Sequence, residues 1–276
     1  MSLKDKKLFL LDMDGTIYLD DYLFDGVHEF LEFIVKKGGK YIFMTNNSSK
    51  SVDAYVKKLA KLGIKASESE FMTSVDVTIR FLNKKHGSFA SNKLIYLMGT
   101  KSFETQMRKA GFNITTEASP QVEIILCGFD RELTYKKLED VCKMLTESTK
   151  AGRKLDYYAT NPDWVCPTDF GYVPDCGSMC KMIETATGRT PYFIGKPQPD
   201  MAQFSMEMTG FGREKTLIIG DRLYTDIACG VNAGVDTCFV LSGEGTLDDI
   251  DRYNVRPTYI FDNIKELHRR IENETR

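Results

Sequence analysis

Leu8-Phe9-Leu10-Leu11-Asp12-Met13-Asp14-Gly15-Thr16 is the stretch on which the architecture turns. Four consecutive apolar residues read as a buried strand. The strand delivers two carboxylates, Asp12 and Asp14, at i and i+2 to a turn that contains Gly15. Period-two spacing sends both side chains off the same side of the backbone. Like charges held so close repel, so the site must contain a cation or keep one carboxyl protonated. Alone, such a stretch would be an ordinary Asp-Gly turn. Three further strand ends reverse that reading.

Outward from this strand, the pattern predicts a helix over 27–36 stopped by Gly38-Gly39, a strand over 41–44, a helix over 51–62 closed by Gly63, and a helix over 75–83. A second α/β rhythm follows, with strands over 94–98, 122–127 and 156–160, helices over 102–110 and 135–145, and a helical run over 177–188. The first rhythm then resumes: strand 192–194, helix 199–209, strand 217–219, helix 225–233, strands 237–241 and 258–261, and a closing helix from 263. Strands spaced by helices imply a parallel sheet covered on both faces. At 276 residues two domains are expected. The chain therefore reads as α/β, with a discontinuous core of 1–83 and 191–276 and an inserted α/β domain of 84–190.

In parallel α/β sheets, ligands bind beyond the carboxyl ends of the strands. After 8–11 come Asp12 and Asp14; after 41–44 come Thr45-Asn46-Asn47; after 192–194 come Gly195-Lys196-Pro197; after 217–219 come Gly220-Asp221, with Asp226 five residues on. One sheet edge thus offers carboxylates, a hydroxyl, two amides and an ammonium. A carboxylate can attack phosphorus and split one hard displacement into two easier ones, a role that falls to Asp12. Asp14 would protonate the leaving oxygen and later take a proton from water. Thr45, Asn46 and Asn47 can donate to phosphoryl oxygens, with Gly15 letting the backbone approach, and Lys196 supplies the positive charge that an attacking carboxylate and a phosphate both require. Asp12 with Asp221 is a hard, all-oxygen donor set suited to Mg²⁺.

Composition narrows the classes. With 42% hydrophobic and 28% charged residues, the chain is an ordinary globular protein, and a net charge of −2 offers no field for nucleic acid or anionic lipid. No apolar run approaches the ~18 residues of a membrane span, and the first apolar run stops at Asp12, too early for a signal peptide. Lys57-Lys58 reads as a solvated helix face. Seven cysteines without zinc spacing or an export signal point to a reducing, cytoplasmic setting. Ser242-Gly243-Glu244-Gly245 lacks the dinucleotide-binding spacing and reads as a turn.

The ordered set resembles the haloacid dehalogenase (HAD) superfamily, whose four motifs stand here as DMDGT (12–16), TNN (45–47), GKP (195–197) and GDRLYTD (220–226). The resemblance covers nearly the whole chain. The insert between Thr45 and Lys196 matches members with a large α/β cap between the second and third motifs. GDRLYTD and the runs 177–189 and 157–167 look like the NagD-like, para-nitrophenyl, phosphoglycolate and pyridoxal phosphatase branch. The resemblance implies a Rossmann-like parallel-sheet core with an inserted α/β cap. It also implies Mg²⁺ held by Asp12, the backbone carbonyl of Asp14, and Asp221, with Asp226 orienting Lys196 or metal-bound water. Relatives often pair through their caps, so a homodimer is an expectation.

Dehalogenases of the superfamily lack the second Asp of the first motif, and its ion pumps carry Lys-Thr-Gly where this chain has Met13-Asp14-Gly15. The implied enzyme hydrolyses small phosphomonoesters, whether nucleotide, sugar phosphate or aryl phosphate. A phosphomutase would use the same residues while excluding water. A non-catalytic phosphate-binding regulator would have lost one of Asp12, Asp14, Lys196 or Asp221, and all four are present. The loop in 156–167 (DYYATNPDWVCP) holds the only Trp. As a specificity loop it would bring Asn161 and Trp164 to the substrate; as an ordinary turn it would pack Trp164 beneath itself. In some relatives this loop carries a His or an acidic side chain to the substrate; here Trp164 and Cys166 lie in that neighbourhood.

Overall fold

The computed structural model describes residues 2–87, 92–168 and 170–275. Its chain divides into two compact units: one takes the residues up to Thr45, Val52–Met72 and everything from Lys196, and the other takes Asn46–Ser51 and Thr73–Gly195.

The first unit is built on a six-stranded sheet in the order Tyr259–Phe261, Asp236–Val240, Thr216–Gly220, Leu8–Asp12, Lys40–Thr45, Phe71–Thr73. The first five strands pair in parallel. Leu8 to Leu11 are all buried, as a central strand covered on both faces requires. One covering helix, Val27–Lys36, turns Val27, Phe30, Leu31 and Ile34 inward at i, i+3, i+4 and i+7. Ile264, Leu267 and Ile271 of the helix Ile264–Thr275 join the same core as Phe9 and Leu11. This face of the sheet is closed by ordinary amphipathic packing, leaving the strand ends for chemistry.

The second unit has a five-stranded parallel sheet in the order Tyr192–Phe193, Asp156–Ala159, Ile124–Cys127, Leu94–Met98, Asn113–Thr115. Helices Ser74–His86, Lys101–Lys109, Tyr135–Lys150 and Cys176–Thr187 belong to it, as does an antiparallel hairpin, Val165–Thr168 with Gly171–Pro174.

Two expectations change. The strand at 192–194 does not extend the first sheet: Tyr192 and Phe193 pair with Tyr158 and Ala159 of the second. The second unit also takes Asn46–Ser51 and all of Thr73–Gly195, rather than spanning 84–190, so the helix expected at 75–83 is part of it. No linker marks the entry. Thr73 ends a strand and at once caps the next helix, with Asp76 N donating to Thr73 Oγ1 and Thr73 N to Asp76 Oδ2.

Candidate active site

Register fixes the site. Leu11 lies opposite Phe43 on one side and Ile219 on the other, and Asp12 lies opposite Met44. Asp12, Thr45 and Gly220-Asp221 therefore leave three adjacent strands at the same edge. The chain after Asp12 turns back tightly, with Gly15 N donating to Tyr18 O at 2.8 Å and Ile17 N to Met13 O at 2.9 Å. Gly15 takes a φ of +86°, and a Cβ there would meet Asp221 Oδ2 at 2.4 Å. Both facts exclude a side chain.

Lys196 reaches this edge although the strand before it belongs to the other sheet. Its ammonium donates to Asp12 Oδ1 at 2.5 Å and to Asp226 Oδ1 at 2.6 Å, and its side chain is 2% exposed. The second oxygen of Asp226 accepts from Arg222 N at 3.0 Å, so both Asp226 oxygens are engaged. Asp226 sits in a wide π-helical turn, Leu223–Ile227, which precedes the α-helix Ala228–Ala233; the sequence had suggested one uninterrupted helix over 225–233.

Asp221 is held by groups the sequence reading passed over. Glu244 N donates to its Oδ2 at 2.8 Å, Gly245 N donates to its backbone O at 3.1 Å, and Thr16 Oγ1 lies 3.4 Å from its Oδ1. A Cβ on Gly243 would meet Asp221 Oδ2 at 2.0 Å. The segment 242–245 is the turn expected, but it is a turn that grips Asp221. Its signal was available: Gly243 and Gly245 come shortly after strand Asp236–Val240, at the edge where the other motifs lie.

Electrostatics separates the carboxylates by role. The side chains of Asp221 and Asp226 are buried, whereas those of Asp12 and Asp14 are 14% and 36% exposed. Burial, with Asp226 and Asp221 beside it, pushes the Asp12 carboxyl well above the ordinary range against the opposing pull of Lys196. Burial and then Asp226 push Asp221 up to about 7. Burial alone would lower the Lys196 pKa, but Asp12 and Asp226 outweigh it and hold the ammonium above its usual value. Carboxylate oxygens of Asp12, Asp221 and Asp226 lie within 4.8 Å of one another. Three carboxylates against one ammonium leave two negative charges, and the donors are all oxygen. A divalent hard cation fits that deficit.

Asp14 has a neighbour that the reading of Lys57-Lys58 as a solvated face missed. Lys57 is indeed solvent-facing, its side chain 71% exposed, but Lys58 Nζ lies 3.8 Å from Asp14 Oδ1 and 3.7 Å from the centre of the Tyr18 ring. Lys58 follows Tyr55 by three residues and so shares its inward face.

The remaining candidates belong to the second unit. Asn47 Oδ1 accepts from Ser49 N at 2.9 Å and Ser49 Oγ at 2.7 Å, an Asx turn. Asn46 donates to Asp163 Oδ2 at 2.7 Å. Asn161 is fully buried, and its amide nitrogen donates to Asp163 at 2.8 Å and Asp175 at 3.0 Å. Those bonds give it a place in a buried network instead of an open surface. Trp164 is 52% exposed, which corrects the alternative that would pack it beneath the loop.

Comparison with known proteins follows the same lines. A haloacid dehalogenase-like hydrolase model matches residues 9–113, and a second HAD-hydrolase-like model matches 193–267. An acid sugar phosphatase of Staphylococcus aureus is 31% identical over 98% of this chain and 100% of its own length. The structure of a 4-nitrophenylphosphatase from Thermotoga maritima superposes with a TM-score of 0.86 at 38% identity, covering 97% of this chain and 98% of that one. NagD of E. coli gives 0.81 at 31% identity, over 95% and 98%. An aspartate pair at a strand end, a buried lysine bridging two acids, and likeness over almost the full length place the chain among the haloacid dehalogenase-like hydrolases, in the phosphatase branch that holds NagD and the 4-nitrophenylphosphatases.

Proposed function

We propose that this protein hydrolyses small phosphomonoesters through a phosphoryl group carried on Asp12. The observation that carries the reading is the buried Lys196 ammonium bonded to Asp12, the one member of the Asp12–Asp221–Asp226 cluster whose side chain keeps measurable exposure. Lys196 engages Oδ1, which leaves Oδ2 to attack phosphorus. As the Oδ2–P bond forms, the bond from phosphorus to the ester oxygen breaks, and the carboxylic acid of Asp14 gives its proton to that oxygen. Asp14, now a carboxylate, takes a proton from water as the water oxygen attacks phosphorus. The acyl-phosphate bond breaks, orthophosphate leaves and Asp12 is regenerated. Thr45 and the amide of Asn47 are the proposed donors to the phosphoryl oxygens, whereas the Asn46 side-chain amide, also a candidate, is bonded to Asp163. Asp12, Asp221 and the backbone carbonyl of Asp14 would hold Mg²⁺, which when bound neutralises the anions that must meet. Asp226, with both oxygens engaged by Lys196 and Arg222 N, serves to aim Lys196.

Release of nitrophenol from p-nitrophenyl phosphate tests the reading. Hydrolysis is expected with Mg²⁺, to vanish after EDTA and to return on adding Mg²⁺ back. Undiminished turnover after exhaustive chelation would remove the metal from the scheme. No turnover in Mg²⁺ on aryl phosphates, sugar phosphates or nucleotides would remove the phosphatase.

The substrate class we infer is sugar or aryl monoesters, because the relatives that match this chain over nearly its full length are named for acid sugar phosphatase and 4-nitrophenylphosphatase activities. Trp164 is the proposed recognition residue for an aromatic leaving group. Trp164→Ala should shift the ratio of aryl to sugar phosphate kcat/KM by roughly 2- to 10-fold, and an unchanged ratio would dismiss Trp164 from recognition. All seven cysteines are free, which supports a reducing compartment. Cap-mediated pairing of two copies stays a proposal for a sedimentation measurement.

A further inference from the structure

Between the two units the chain crosses four times: after Thr45, after Ser51, after Met72 and after Gly195. On the insert's side, one residue touches three of those crossings. Asn46 follows Thr45 directly and is 8% exposed. Its backbone O accepts from Ser74 Oγ at 2.7 Å, just beyond the crossing at Met72. Gly195, the last insert residue, sits against it so closely that an added Cβ would lie 2.6 Å from Asn46 Oδ1 and 2.5 Å from Thr160 O. Asn46 Nδ2 donates to Asp163 Oδ2 at 2.7 Å. The orientation of that amide follows from chemistry, because a carboxylate can only accept.

Asp163 is itself pinned. It is 2% exposed, and the same Oδ2 accepts from Asn161 Nδ2 at 2.8 Å. Asn161 Nδ2 also donates to Asp175 Oδ1 at 3.0 Å, and that oxygen receives Cys176 N at the start of helix Cys176–Thr187. Ser48 extends the fixation, its Oγ lying 3.1 Å from Thr160 Oγ1 and accepting from Phe129 N at 2.9 Å. The network runs from a helix start, through two buried acids and two amides, to the segment that continues from Thr45.

We propose that Asp163 is a positioning residue for catalysis: by orienting Asn46 it fixes the points from which the chain passes to Thr45 on one side and Lys196 on the other. This rests on the phosphatase reading, in which Thr45 and Lys196 must meet the phosphoryl group within a few tenths of an ångström. A misplacement of about 1 Å originating away from the chemistry is enough to cost on the order of 10²-fold. An acceptor oxygen is needed here because two amides donate to the same atom, and the charge of the carboxylate strengthens both bonds.

The test uses Asp163→Val, which keeps approximate shape and removes the acceptor, Asp163→Asn, whose amide oxygen can still accept, and Asp130→Asn as a control. Asp130 is equally buried in the same unit; its carboxylate pairs with Lys137 at 2.7 Å and accepts from Glu132 N, bonds that involve no side chain of this network. Steady-state hydrolysis of p-nitrophenyl phosphate and hydrogen exchange of residues 46–49 are measured on the full chain. For Asp163→Val, kcat/KM should fall roughly 10- to 100-fold and exchange at 46–49 should accelerate. Asp163→Asn should recover most of both, and Asp130→Asn should show neither effect whatever it does to the melting temperature. Wild-type kcat/KM in Asp163→Val, unchanged exchange at 46–49, or the same losses in Asp130→Asn would each overturn the proposal. A wild-type chain inactive on every monoester would defeat the phosphatase reading, and the exchange data would still decide whether Asp163 holds Asn46.

Discussion

Asp12→Asn is expected to lose hydrolysis of p-nitrophenyl phosphate by more than about 10³-fold while the folded protein survives. The substitution keeps the shape of the side chain and removes the one oxygen pair able to attack phosphorus, since a carboxamide is a poor nucleophile at neutral pH. The effect on stability should run the other way. Asp12 is a carboxylate whose charge is disfavoured by burial and by two neighbouring acids, and these outweigh its Lys196 bond. A neutral isostere relieves that penalty, so the metal-free variant should melt no lower than the metal-free wild type. Loss of activity with retained stability separates chemistry from folding. Acid-quenched wild type incubated with phosphate-labelled substrate should carry label on the peptide containing Asp12, and Asp12→Asn should carry none. Near-normal turnover in the variant would take the nucleophile's role away from Asp12.

The candidate site was largely legible because each part announces itself in the same way. Asp12, Thr45 and Asp221 are polar residues that interrupt an apolar run, and the parallel-sheet rule says which end of a strand carries chemistry. Lys196 follows from the same rule, applied to a strand that is present but lies in the other sheet. Tyr192–Phe193 is only two residues long and carries no period that could assign it to one sheet over another; the tertiary pairing with Tyr158 and Ala159 decides it. The insert's edges were illegible for a related reason. Composition shifts at flexible linkers, but this chain enters the insert through a strand that becomes a helix cap at Thr73, and it leaves between Gly195 and Lys196 inside a motif.

What was missed falls into two physical kinds. Lys58 and the 242–245 turn act by proximity in three dimensions. A lysine at helical spacing looks the same whether its end reaches solvent or arches over Tyr18 toward Asp14. The π-helical turn at 223–227 was invisible because residue types set helical character, whereas the extra residue per turn answers to the demand that Asp226 face both Lys196 and Arg222 N.

Lys196→Met should lose about 10²- to 10³-fold in kcat, the scale set by removing one preorganised charge from a developing anion. It should also weaken the metal-free fold, because breaking a buried pair by deleting one partner typically costs about 3–5 kcal/mol and here leaves two carboxylates without their cation. The two losses can be pulled apart. Asp226 spends one oxygen on Lys196 and the other on Arg222 N, so its place is to hold the lysine. Adding Asp226→Asn to Lys196→Met removes a charge that no longer has a counterion, and much of the lost melting temperature should return. Activity should not return, since no positive side chain then stands beside Asp12. If hydrolysis recovers in step with stability, Lys196 merely balances buried charge and has no role in the reaction. If stability recovers alone, the ammonium acts on the reacting atoms, and Asp226 acts only through it.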